Sequence, residues 1–554
     1  MKLNRKRFRA VAGGGASLYA AVLLTTAACS SDESGPSPTG TEPQSASMTP
    51  GTPAPGAMQA GSAMGTATPG QPNNTTAGSA QEGPDFGRPT EDPGMTAETP
   101  AQPPAGMGGP EQPPVGMETP GMPAETPAEM PTGPSEWTQM GFDAASTFFN
   151  RNETKLTKEN AANLKVAWTA DMGGPVYGAP LMVGDTIYAS GGGRVAAFDA
   201  ATGDEKWTVS VRSTASLAHA DGTLYLHTAP GGEVVALDAS DGSQKWSTKP
   251  DSSQASDGSS SPLVAGDFVL IGGASGTREL LGGGFRGYLA ALNRTSGEVA
   301  WLTHTVAEGT NGASIWSSPS ADVAAGVAYG STGNNYGPPA SDTSDAIIAF
   351  DLMTGDIKWK AQRVENDTFG GGSFGGGPDH DFGANPVLYE TMVEGQMTQL
   401  VSAGAKSGSA HAVRRDDGSL VWTRSLGNGT ATGSSGIFVN STWAGKNMLF
   451  AQNEEGKATL YALDGATGDI AWQRSVGGSV WGRISVANGV GFVGVGETLQ
   501  VFDVDTGDMI KEFPTMGGTV ACSISVANGR VGFGEGFSWS NGKPGRTLHV
   551  LSIE

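Results

Sequence analysis

The sequence predicts an all-β chain closed into an eight-bladed β-propeller. A hairpin pattern repeated seven times, a composition suited to short strands and tight turns, and two chain ends that complete an eighth copy together predict it. The copies are VAAFDAATGDEKW at 195–207, VVALDASDGSQKW at 234–246, LAALNRTSGEVAW at 289–301, IIAFDLMTGDIKW at 347–359, AHAVRRDDGSLVW at 410–422, LYALDGATGDIAW at 460–472 and LQVFDVDTGDMIK at 499–511. Each reads as an apolar strand, a turn in which Asp bonds its own backbone and Gly supplies a positive φ, and a second strand carrying Trp. The turn glycines recur roughly every 40 to 60 residues, enough for a four-stranded sheet per copy.

The chain ends supply the last blade. TLHVLSIE at the C-terminus matches the strand before the turn, and NLKVAWT at 163–169 matches the strand after it. Pairing them closes the ring and leaves no open sheet edge. Trp207, Trp246, Trp301, Trp359, Trp422 and Trp472 fall at one register, which suits rings packed between wedge-shaped blades; Lys511 takes that place in the seventh copy.

Composition excludes several classes. With 85 Gly, 16% charged and 7% aromatic residues, the chain does not read as salt-bridged helices. A net charge of −22 argues against nucleic acid or anionic membrane surfaces as partners. Two cysteines, Cys29 and Cys522, make neither a disulfide framework nor a zinc site, and no C-x-x-C-H is present to carry a covalent haem.

Residues 1–29 read as an exported lipoprotein signal: a basic stretch, MKLNRKRFR, then a mildly apolar run ending in Thr26, Ala27 and Ala28 before the lipidation residue Cys29. This end resembles a bacterial lipobox and implies a lipid-anchored protein of the cell envelope, periplasmic or on the outer membrane, or a secreted one, touching membrane only through that anchor. Residues 30–136, rich in Pro, Gly, Thr and Met, cannot bury a core and read as a disordered linker. The propeller is expected over 137–554.

Chemistry gathers in the stretches between repeats. GPDHDFGANP at 377–386 sets Asp379, His380 and Asp381 after the flexible run GGGSFGGG and before a strand. Also outside the repeat register are NGASIWSSPS at 311–320, YGSTGNNYGPP at 329–339, Phe285-Arg286-Gly287, GAKSG at 404–408 and GGSVWG at 477–482.

The D-x-x-T-G-x-x-x-W turn resembles the tryptophan-docking repeat of pyrroloquinoline-quinone (PQQ) propellers, a group that holds quinoprotein alcohol dehydrogenases and cofactor-free BamB-type assembly lipoproteins. The stretches between repeats, with W-x-x-x-G-x-D from Trp137 and the pair Asn150-Arg151, resemble the polyvinyl-alcohol dehydrogenase branch. That resemblance implies oxidation of a secondary or polymeric alcohol by hydride transfer to PQQ, with Ca2+ bound. Trp316 would be the ring on which the quinone stacks, and Ser314 would bond one of its carboxylates. Glu279, Asn334 and Asp379 would be calcium ligands, oxygen donors that suit a hard cation. Asp379 would also take the substrate hydroxyl proton, and Lys406 would stabilise charge developing on the quinone oxygens. Trp481 would cover the other face, with Arg212 and Arg286 as carboxylate partners. The vicinal cysteine pair and the haem domain found in parts of this group are absent, so electrons would pass to a separate cytochrome or quinone. The alternative expectation is a non-catalytic BamB-like scaffold whose loops bind protein.

Overall fold

A computed structural model describes residues 133–553, except 276–277, 280–281, 370–378, 430–434, 440 and 537–541. The signal, Cys29, residues 30–132 of the linker and the GGGSFGGG run lie outside the described residues.

Eight antiparallel sheets form the blades, numbered here in chain order by their innermost strands, which begin at Leu181, Ala218, Leu263, Ser320, Val387, Thr442, Ser485 and Ser525. The repeat supplies the two outer strands of each blade, as in Arg194–Asp199 and Glu205–Ser210 of blade 1. Blade 8 is built from both chain ends: Lys165–Asp171 pairs antiparallel with Thr547–Ser552. Both outcomes match the expectation from sequence.

Register is conserved across the ring. In blade 1 the partners run Leu181, Tyr188, Ala197, Trp207; in blade 4 they run Ser320, Tyr329, Ala349, Trp359. The same ladder reaches Lys511 in blade 7 and Trp168 in blade 8. Each docking tryptophan packs on the turn glycine of the next blade and donates its indole N–H to a carbonyl there. A Cβ on Gly355 would lie 2.5 Å from the Trp301 ring, and Trp301 Nε1 donates to Leu352 O at 2.9 Å. The glycine is required twice, by a φ of +78° and by that contact. In blade 7 Lys511 substitutes for the indole, its Nζ donating to Ala162 O and Leu164 O at 2.8 and 2.6 Å.

The path of one segment was not anticipated. Residues 137–150, noted in the sequence only as a family-like start, run past all eight innermost strands in turn. Trp137 N donates to Met182 O of blade 1, and the Thr138 and Gln139 acceptors take His219 N and Val264 N of blades 2 and 3. The carbonyls of Ala144, Ala145, Thr147 and Phe148 then accept from Ala321, Leu388, Trp443 and Val486, and Asn150 Nδ2 donates to Val526 O of blade 8. This closes one end of the axis. Ser135 extends this contact, its hydroxyl accepting Asn528 N of blade 8 at 3.0 Å.

Candidate active site

Up-and-down connectivity puts the repeated hairpin turns at one end of every blade and the loops after the second and fourth strands at the other. The residues singled out from sequence share that second end. Glu279, Asn334 and Lys406 follow the second strands of blades 3, 4 and 5, namely Phe268–Gly273, Val327–Ser331 and Gln396–Gly404. Ser314 and Trp316 lead into blade 4, Asp379 and Asp381 into blade 5.

These loops converge. Lys406 Nζ stands 3.2 Å from Asp379 Oδ2 and straddles the Asp381 carboxylate, 2.8 Å from Oδ1 and 3.0 Å from Oδ2, the oxygen its hydrogen bond is directed to. Asn334 Nδ2 donates to Asp379 Oδ1 at 3.0 Å, and Trp316 Nε1 donates to Asp381 Oδ2 at 3.2 Å. The ammonium lies 4.9 Å from the Trp316 ring centroid, over its face. Ser314 Oγ hydrogen-bonds Glu279 Oε1. Glycines admit the indole: a Cβ on Gly333 would sit 3.3 Å from Trp316 Cδ1, and one on Gly383 would sit 2.5 Å from its Cη2 and 1.9 Å from Phe438 O.

All of these side chains are buried, so their charges act in a poorly screened space. Burial, then repulsion from Asp379, pushes Asp381 up to about 7 against the pull of Lys406. Burial alone would lower the Lys406 pKa, yet Asp379 and Asp381 hold it above its ordinary value. Burial, with Asp257 and Asp381 nearby, raises Glu279 well above the carboxylate range. Two participants were missed in the sequence. Burial and the charges of Glu279, Asp381 and Asp379 keep the Tyr336 hydroxyl protonated, with a hydrogen bond to Asn334 opposing. Asp345, fully buried, has no hydrogen-bond partner for either carboxylate oxygen and is raised by burial, then by Asp367, Asp381 and Asp379. Tyr336 was visible as part of GNNYGPP; nothing local marks Asp345.

The other expected residues are placed less directly. Trp481 packs edge-on against Phe438 at 5.3 Å, and Phe438 is 6.0 Å from Lys406 Nζ, so Trp481 reaches the cluster through that ring. Arg286 donates from Nε and Nη2 to Val306 O at 3.1 and 3.0 Å. Arg212 is exposed and forms no ion pair among the described residues.

Among the described residues no three His, Cys, Asp or Glu side chains are gathered as a ready metal site. The donor chemistry nevertheless fits a hard cation, because Asn334 Oδ1 is buried with no donor to satisfy it, beside the Asp379 carboxylate.

Residues 128–361 and 406–552 match a family described as outer membrane protein assembly factor BamB, PQQ_2. The chain belongs to that family. It is 29% identical over 296 residues to a polyvinylalcohol dehydrogenase of Sphingopyxis sp. (strain 113P3), covering 45% of this chain and 44% of that protein. It is 27% identical over 384 residues to a polyvinylalcohol dehydrogenase of Pseudomonas sp, covering 61% and 59%. The chain thus spans about half the length of the curated relatives it matches. Its fold is shared with the quinohemoprotein alcohol dehydrogenase of Comamonas testosteroni, at TM-score 0.64 and 18% identity over 76% of this chain and 80% of that one. A europium-containing methanol dehydrogenase shares it too, at TM-score 0.62 and 16% identity over 76% and 99%.

Proposed function

We propose that this chain is an exported PQQ- and calcium-dependent alcohol dehydrogenase of the polyvinyl-alcohol type. One observation carries the reading: loops of blades 4 and 5 bring a lysine, two carboxylates and an amide together over a buried tryptophan. The curated relatives, named as polyvinylalcohol dehydrogenases, support the same class.

When bound, PQQ would supply a hydride acceptor and the cation would polarise it. Trp316 and Ser314 would hold the cofactor, and Glu279, Asn334 and Asp379 the cation. Asp379, fixed by Asn334 on one oxygen and Lys406 on the other, would receive the proton of the substrate hydroxyl. Asp381, whose pKa burial and Asp379 raise to about 7, would share that proton across their common lysine. Lys406 would balance negative charge as it develops. Electrons would leave to a separate cytochrome or quinone.

The test is reconstitution of the chelator-stripped full chain with PQQ and calcium, then with other hard cations, followed by dye reduction with secondary alcohols. Cofactor uptake and alcohol-dependent reduction are expected. Absence of both would sink the enzyme reading and favour the scaffold that the family description names. Lipid anchoring at Cys29 belongs to the same proposal; Cys29→Ser should move the protein from the membrane fraction to the soluble one.

A further inference from the structure

The propeller axis is layered. Four places before the first residue of the innermost strand, blades 1, 4, 6 and 7 carry Tyr177, Trp316, Phe438 and Trp481, and Tyr177, Phe438 and Trp481 pack together with Ala521, the equivalent residue of blade 8. Two places further along lies a polar layer. On one half of the ring this layer is closed by serines: Ala179 N donates to Ser216 Oγ, Ser216 N to Ser261 Oγ and Ser261 N to Ser318 Oγ, at 2.8 to 3.0 Å. Ser318 Oγ in turn reaches Met140 Sδ of the segment that closes the far end.

The other half is different. The equivalent positions in blades 5, 7 and 8 are Asn385, Arg483 and Ser523. Arg483 Nε donates to Asn385 Oδ1 at 3.1 Å, a strut from blade 7 to blade 5. Its terminal amino groups have no acceptor and no carboxylate among the described residues. Burial without a counter-charge lowers its pKa to about 10. Asn385, fully buried, leaves Nδ2 without an acceptor, and Ser523, 2% exposed, leaves Oγ without a partner. Arg483 itself keeps accessible surface. A half-buried cation with no carboxylate beside it, next to a fully buried amide donor with no acceptor, is costly unless something accepts from them. Water would satisfy the donors and leave the charge uncompensated.

We propose that this half-ring binds a small inorganic anion of chloride size, held by Arg483, Asn385 Nδ2 and Ser523 Oγ. The anion is a structural counter-ion of the axis, distinct from the layer that carries Trp316. It ties blades 5, 7 and 8 across the centre, where the serine relay does not reach. This inference does not depend on the dehydrogenase reading.

The test is crystallisation of the full chain from bromide, with anomalous diffraction at the bromine edge. A peak within hydrogen-bond distance of Arg483 and Asn385 is expected, lost in Arg483→Gln. In solution, the unfolding midpoint should rise saturably with chloride at constant ionic strength set by gluconate, and Arg483→Gln should abolish that rise. If Arg483→Gln does not fold, Asn385→Ala and Ser523→Ala should each weaken the chloride dependence severalfold. Ordered water alone at the site, a carboxylate of a bound cofactor there, or a midpoint indifferent to chloride would overturn the proposal.

Discussion

At the end of the propeller that carries the repeated turns, Asp199 and Asp351 each accept two backbone N–H groups through one oxygen, at 2.9 to 3.1 Å, and both are held below the ordinary carboxylate pKa by those bonds. At the opposite end Asp381, Asp345 and Glu279 are buried and raised by desolvation, and neither oxygen of Asp345 has a hydrogen-bond partner. The same carboxylate is made content by a local turn and left needy by a tertiary cavity. The turn aspartates stabilise a repeat, whereas the axial ones hold charge that a proton, a lysine or a bound cation must answer.

Substitutions can break this comparison. The largest effect is expected from Asp379→Asn, which should lower PQQ-dependent turnover by about 10²- to 10⁴-fold while circular dichroism and the melting midpoint stay near wild type. Unchanged turnover would take Asp379 out of the mechanism. Lys406→Met leaves Asp379 and Asp381 facing each other without their shared cation, and should cost about 3–5 kcal/mol in denaturant unfolding of the cofactor-free protein. A loss below about 1 kcal/mol would show that the pair is screened by solvent.

At the turn end the sensitive residue should be the glycine. Gly355→Ala drives a methyl into Trp301 and should destabilise by about 1–3 kcal/mol, with a change in tryptophan fluorescence that Asp351→Ala does not produce.

The smallest effect is a gain. Asp345→Asn should stabilise the cofactor-free protein by about 1 kcal/mol near neutral pH, because it removes a carboxyl whose ionised form has no partner. The sign follows from linkage. Below the ordinary carboxylate range, near pH 4, folded and unfolded chains both hold the proton and the wild type pays no penalty. As pH rises the unfolded chain loses it first, so wild-type stability falls until the raised folded pKa is reached. The variant should lose that descent; an identical pH profile would mean that Asp345 is not desolvated.

Much of the fold was legible because it is local and repeated. The D-x-x-T-G turn encodes its own hairpin, the tryptophan register encodes the contact with the next blade, and TLHVLSIE with NLKVAWT announced the closing blade. The resemblance gathered Glu279, Asn334, Asp379 and Lys406, and the blade register explains their convergence: three leave the same strand in consecutive blades. What stayed hidden depends on partners far along the chain. Asp345 looks like any aspartate before a strand until the fold buries it with its N–H on Gly333 O, and residues 137–150 read only as a family-like start until eight of them meet the eight blades in turn. Arg483 and Asn385 lie 98 positions apart and meet only across the axis.

The amino-acid sequence was enough for the blade, its turn, its tryptophan and the number of copies, since each rests on hydrogen bonds and packing within a few dozen residues. Which carboxylates would be neutral, which cation would answer them, and which donors would be left unmatched at the centre was settled by closure of the ring. Desolvation and charge pairing depend on everything that surrounds a group, and around the axis that surrounding comes from all eight blades.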